Sequence, residues 1–234
     1  MQPRGAYLLQ PRYYSHHVNR TCLAAILSLV LLAAAGAAEK AAPPRGTSDP
    51  YTGTLSIFES PERDEQLQVE RVMDKLRIRE GSNVADIGAG SGWFTVRSAR
   101  RVGKAGVVYA VEINRRYVRH ISQRAKKEKL PNIRTILSKP NDPMLPPKSV
   151  DAVLLLKTYH EIAKPIELLR KLRPALRPNA RVGVIDRGGV GTDHGINAVV
   201  VIREAAEAGY TLVEQHDFVK SEGVDYFLVF TAAK

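Results

Sequence analysis

Val84-Ala85-Asp86-Ile87-Gly88-Ala89-Gly90-Ser91-Gly92 is the stretch on which the fold of this 234-residue chain turns. Residues 83–87 have the length and apolar content of a buried strand. The run passes through an acid into three alternating glycines, and Trp93 and Phe94 then begin a helical pattern. Ligands of open α/β sheets bind beyond the carboxyl ends of the strands. Glycine at such an end lets the backbone turn sharply and approach a ligand closely. Asp86, Gly88, Gly90 and Gly92 are therefore candidate binding residues.

Outward from this motif the chain alternates strand and helix. Strands are expected at 107–112, 133–137, 150–156 and 181–186, with helices at 91–102, 115–129, 166–176 and 196–208. Ser60-Pro61 reads as an N-cap followed by proline at the first helical position, opening a helix that Gly81 ends. Segments 211–216 and 226–231 read as a terminal antiparallel pair. Repeated strand–helix units predict a mostly parallel sheet with helices on both faces. Glu112 closes the second strand, 22 residues after Gly90. That is about the separation, roughly 20 residues, at which a carboxylate meets ribose hydroxyls in such folds. The competing reading makes Glu112 a cap of the next helix.

With strand, glycine loop and acid in this order, VADIGAGSGWFT resembles motif I of class I S-adenosylmethionine (SAM) dependent methyltransferases. The resemblance extends over roughly residues 60–231 and implies a Rossmann-like, seven-stranded α/β sheet with SAM as cofactor. It implies that Asp86 orients the loop or meets the amino-acid part of SAM, that Gly88, Gly90 and Gly92 pack against it, and that Glu112 binds the ribose. It also implies an adenine contact after the third strand, for which Asn141 and Asp142 are candidates. A dinucleotide site would need glycines spaced G-x-G-x-x-G. Here they are spaced G-x-G-x-G.

The fourth strand runs into Lys157-Thr158-Tyr159-His160. Tyr159-His160 resembles a pair found at this place in the branch similar to ubiquinone/menaquinone and arsenite methyltransferases. The resemblance puts Lys157, Tyr159 and His160 beside the methyl group, Tyr159 against the sulfonium. His160 has the chemistry to take a proton from the acceptor; the alternative is that both residues are structural. His194, in the glycine-rich segment 186–195, matches a histidine that borders the acceptor pocket in similar proteins, with Asp193 as a candidate helix cap. The single cysteine, Cys22, precedes the domain. Thiolate chemistry is thereby excluded from the domain, arsenite methylation is disfavoured, and no metal is expected. The acceptor expected is a small or lipid-like molecule.

Residues 1–38 carry arginine and no acid, and 22–38 is an uncharged apolar run closed by small residues. That is the pattern of a secretory signal peptide. An uncleaved anchor giving membrane association, or an organellar transit peptide, are the alternatives. Residues 39–54 read as a linker and 55–234 as the domain. The net charge of +11 favours acidic partners only in a general way. The basic residues of 115–129 fall on more than one helix face without an aromatic platform, so nucleic acid is not expected. Two other functions compete with a methyltransferase: a non-catalytic exported SAM-binding domain and an RNA methyltransferase.

Overall fold

The computed structural model describes residues 45–219, 223 and 225–233. The leader and residues 39–44 of the expected linker lie outside the described residues. The strands are β1 (Asn83–Ile87), β2 (Val107–Glu112), β3 (Ile133–Leu137), β4 (Val150–Leu156), β5 (Leu176–Arg187), β6 (Tyr210–His216) and β7 (Asp225–Ala232). The helices are α1 (Arg63–Leu67), α2 (Val69–Lys75), α3 (Trp93–Val102), α4 (Arg115–Lys127), α5 (Pro165–Leu172) and α6 (Ala198–Glu207). Among the described residues the strands form one sheet in the order β3-β2-β1-β4-β5-β7-β6. The first five are parallel, and β7 runs antiparallel between β5 and β6. The expected Rossmann-like arrangement with its terminal hairpin is present.

The period of two along a strand divides the core. Ala85 and Ile87 of β1, with Val153 and Leu155 of β4, face α5 and α6 together with Leu168, Leu172 and Val201. Val84 of β1, with Ala152 and Leu154 of β4, faces the other way, onto α2 and α3 with Val72, Met73 and Phe94. Because both faces are covered, β4 reads as an unbroken apolar run from Ala152 to Leu156. The registers Asp86↔Leu154 and Leu154↔Gly183 bring β1, β4 and β5 to the same edge of the sheet.

Three local expectations change. The helix expected from Ser60 to Gly81 is two short helices joined at Gln68, which sits at φ 47°. The Gln68 side chain donates to the Phe218 carbonyl at 3.0 Å, so a tertiary contact holds the break. Ser60 bonds the Glu62 carboxylate instead of capping a backbone amide. The 166–176 helix ends earlier, and β5 starts at Leu176, with a register shift between Val150 and Ala152 of its partner strand. Asn197, not Asp193, caps α6, accepting from the Val199 amide at 3.0 Å. No described helix is long and apolar enough to cross a membrane.

Arg181 and Glu214 tie β5 to β6, and Arg181 Nη1 also donates to the Lys75 carbonyl at the end of α2, at 2.7 Å. Partial burial works against the charged Glu214. Hydrogen bonds from Arg181, Lys75 and His216 outweigh it and lower its pKa from 4.5 to about 2. A carboxylate lowered in the folded state contributes stability that is present above its unfolded pKa and lost as pH falls through the folded one. Glu214→Gln should cost about 1 kcal/mol near neutrality. The gap between variant and parent should close as denaturant titrations move from pH 4.5 towards pH 2. A gap that stays constant over that range would count against this ion pair.

Candidate active site

A cleft of about 920 Å³ opens where the carboxyl ends of β1, β2 and β4 meet. Its wall includes Asp86, Gly88, Gly90 and Glu112 on one side and Lys157, His160 and His194 on the other. Of the residues singled out in the sequence, Asp86, Gly88, Gly90, Glu112, Lys157, His160 and His194 are thus gathered in one place; Gly92, Asn141, Asp142 and Tyr159 are not on its wall.

Asp86 is buried at the end of β1, and Thr95 Oγ1 of α3 donates to it at 2.6 Å. Burial raises its pKa to about 6, against the opposing effects of the Thr95 hydrogen bond and the nearby Arg63 charge. Arg63 lies over the Trp93 ring, 4.6 Å from its centroid, and burial lowers its own pKa to about 10. The loop turns because Gly88 and Gly90 adopt φ of 73° and 55°, a region costly for residues with a Cβ. The Gly88 and Ala89 amides donate to the Val111 carbonyl, which fastens the turn to β2. Gly92 also has positive φ, but it packs on Ile121 of α4 and is not on the cleft wall.

Glu112 makes the second fastening. One carboxylate oxygen accepts from the Gly90 amide at 3.0 Å and the other from the Asn114 amide at 2.9 Å. The cap of α4 is Asn114, whose side chain accepts from Arg116, so Glu112 does not serve as that cap. Each of its oxygens keeps acceptor capacity towards the cleft. A carboxylate at this point, beside a glycine loop without side chains, fits a ligand with vicinal hydroxyls and a cationic group.

The far side of the cleft follows β4. Lys157, at φ 54°, extends its ammonium to Asp225 Oδ1 at 2.5 Å. His160 is buried, and its Nδ1 lies 2.9 and 3.1 Å from the two oxygens of Asp186, the fully buried acid near the end of β5. An ionised carboxylate only accepts, so in the neutral ring Nδ1 carries the proton and Nε2 the lone pair. Nε2 lies 4.0 Å from Glu161, and the His194 ring packs edge-on against that of His160 with centroids 5.8 Å apart. Burial raises the Glu161 pKa to about 7, opposed by His160 and by a hydrogen bond from the Tyr51 amide.

Tyr159, expected against the sulfonium, is not on the cleft wall. Its ring is in the core, its hydroxyl donates to Glu204 of α6 at 3.0 Å, and Arg45 lies over its face. The short 3-10 turn at 159–161 sends consecutive side chains in different directions, so His160 faces the cleft and Tyr159 the helix layer. Asn141 and Asp142 are also off the cleft wall. Asn141 bonds Glu167, and Asp142 accepts from the Met144 amide and approaches Lys171 of α5. Ser138, Lys139 and Pro140 line the cleft in their place.

Asp186 and Glu161 were not singled out from the sequence. Asp186 repeats the signal of Asp86, an acid closing an apolar strand. The strap at 45–51 gave no signal, since it reads as linker. In the structure the Ser48 amide donates to the His160 carbonyl, and Ser48 Oγ accepts from the His194 amide at 2.9 Å. Arg45 donates to the carbonyls of Tyr159 and Ile162. Residues 45–54, expected as linker, therefore belong to the domain.

A Cβ at Gly88 would lie 2.4 Å from the Thr158 side chain, at a φ that disfavours it. Gly88→Ala should destabilise the fold by about 1–3 kcal/mol. Adding Thr158→Ala should recover part of that loss in thermal denaturation. Equal losses in the single and double variants would show that the contact does not limit the loop.

Residues 84–179 match the family model described as a methyltransferase domain. A probable cobalt-precorrin-6B C(15)-methyltransferase of Saccharolobus solfataricus is 33% identical over 72 residues, covering 28% of this chain and 36% of that protein. A 2-phytyl-1,4-naphtoquinone methyltransferase of Trichormus variabilis is 28% identical over 109 residues, 46% of this chain and 48% of that protein. The chain thus spans less than half the length of these curated relatives. A SAM-dependent methyltransferase from Aquifex aeolicus has the same fold, with a TM-score of 0.69 at 23% identity, covering 75% of this chain and 95% of that one. With the sheet order, the glycine loop after β1 and the acid closing β2 all in place, the chain has the fold of SAM-dependent methyltransferases, and its residues 84–179 match a methyltransferase domain.

Proposed function

We propose that this protein transfers a methyl group from SAM to a small-molecule or lipid-like acceptor. One observation carries the proposal. A single cleft has a glycine loop flanked by Asp86 and Glu112 on one side and the Asp186-oriented His160 on the other. SAM supplies the electrophilic methyl group. Glu112 receives the ribose hydroxyls, Asp86 balances the positive charge of the amino-acid part, and Ser138–Pro140 flank the adenine. Gly88 and Gly90 let the backbone lie close to the cofactor. Methyl transfer depends first on holding the acceptor in line with the methyl group, and such alignment can supply about 7–11 kcal/mol of the barrier. The strap at 45–51 and the turn at 159–161 close the acceptor side, and His160 Nε2 is the polar atom turned towards it. This polar cluster favours catalysis over a passive SAM-binding role.

The naphthoquinone methyltransferase relative supports a ring acceptor with a polar substituent and an apolar body, which suits a cleft lined by Ile57, Phe58, Leu156 and Ile162 beside its polar groups. The leader at 1–38 supports export, with retention at the membrane through 22–38 as the variant of that reading. Incubation with labelled SAM and a panel of reduced quinones and related phenols tests the proposal. SAM binding without transfer to any of them would favour the passive reading.

Glu112→Ala should weaken SAM binding by about 1–3 kcal/mol in calorimetry, because ribose hydroxyls lose a charged partner. Unchanged affinity in a folded variant would remove Glu112 from the site. Asp86 gives a pH dependence. Its pKa of about 6 in the folded protein means that it is charged above pH 6 and progressively neutral below. SAM affinity should therefore fall as pH drops through about 6, and Asp86→Asn should bind more weakly and lose that step. A parent protein whose affinity is flat from pH 7.5 to 5 would contradict the role given to Asp86.

A further inference from the structure

We infer that His160, Glu161 and His194 form a binding site for a divalent first-row transition ion of the zinc type at the acceptor end of the cleft. Each residue offers one ligand atom, and these atoms all lie within 4.8 Å of one another. The sequence reading expects no metal, since the single cysteine precedes the domain and leaves it without thiolates.

Four features set this cluster apart from a chance meeting of polar side chains. The donor set is two imidazoles and one carboxylate, a combination that zinc takes at catalytic sites, where three protein ligands leave a fourth position open. The ligand nitrogen of His160 is already selected. Its Nδ1 is committed to Asp186, 2.9 Å away, so Nε2 points to Glu161 with its lone pair. A carboxylate behind a ligating histidine orients the ring and raises its basicity, and metal sites commonly have such a partner. The other two ligands are placed by the same strap. Ser48 Oγ accepts from the His194 amide, the Ser48 amide donates to the His160 carbonyl, and the Tyr51 amide donates to Glu161. Finally, the cluster lies on the wall of the cleft, so an ion there would have an entry path and an exposed coordination position.

The donors are spread more widely than a bound ion requires. Zinc bonds of about 2.0–2.2 Å would bring them to roughly 3.3–3.6 Å apart. His160 is buried and anchored, whereas His194 is exposed and sits at φ 57° between Asp193 and Gly195. Rotation of the His194 and Glu161 side chains would close the site without moving the sheet.

The ion site stands on this geometry alone. Its use rests on the methyl-transfer reading. A hydroxyl of the acceptor would take the open position and give its proton to solvent. Its oxygen lone pair would then form the bond to the methyl carbon as the S–CH₃ bond breaks, leaving the thioether. The ion's charge is unchanged throughout. It would lower the cost of deprotonation and fix the oxygen at the acceptor end.

The test needs neither SAM nor turnover. Untagged full-length protein, stripped with a chelator and dialysed, is titrated with Zn²⁺ in a calorimeter. One ion per chain is expected, with X-ray absorption showing two imidazoles and a carboxylate. Glu161→Gln and His194→Ala should each abolish the stoichiometric phase while leaving the circular dichroism spectrum intact. Asp186→Asn should weaken binding by about 10–100-fold. The inference is overturned if folded parent protein shows no stoichiometric binding. It is equally overturned if parent, Glu161→Gln and His194→Ala give superimposable titrations, which would place the ion elsewhere, for example at His16 and His17. Zinc binding without SAM binding would leave the ion site standing and remove the cofactor reading, and the reverse result would do the opposite.

Discussion

Three parallel strands, β1, β4 and β5, end at one edge of the sheet, and the functional groups hang from that edge. The register is set by apolar side chains on two covered faces, so a slip of one residue would turn each strand's buried set to the wrong layer. Once the register holds, the residues following the three strands have to converge. Asp86 lies one residue before the end of β1, Lys157 and His160 follow β4, and Asp186 lies one residue before the end of β5. β7, antiparallel beside β5, adds Asp225 from its own beginning, where it meets Lys157.

Convergence alone does not order side chains, and buried carboxylates complete the arrangement. Glu112 fastens the glycine loop to the end of β2 by accepting one backbone amide on each oxygen. Asp186 accepts from the ring and the backbone amide of His160, which fixes where His160 sits and which nitrogen carries its proton. Both acids are buried beside donors, the condition under which a buried charge is tolerated. The strap at 45–51 then covers the His160 side, with Arg45 joining the 159–162 turn to Glu204 of α6. The two ends of the cleft are accordingly built differently: the Gly88–Gly90 side from backbone and glycine, the His160 side from packed side chains and a segment distant in sequence.

Much of this is legible without coordinates. The strand–loop–helix at 83–102, the acid closing β2, the parallel sheet and the terminal hairpin all follow from local patterns of period 2 and 3.6 punctuated by glycine and proline. The misread positions share a cause. Gln68 breaks a helix because its side chain finds the Phe218 carbonyl. Tyr159 turns into the core because Glu204 awaits its hydroxyl. Asn141 and Asp142 turn towards α5 because Glu167 and Lys171 lie there.

The sequence by itself therefore determined the fold class and the glycine loop after β1, since each is written in neighbouring residues whose conformational preferences agree. Tertiary structure alone decided which residues gather around His160. Asp186 behind His160, His194 beside Glu161, and Ser48 joining their segments are meetings across 26 to 146 residues of chain. Local preference carries no information at that range. Such contacts exist because the sheet brings the strand ends together and because the buried polar groups there had to find partners.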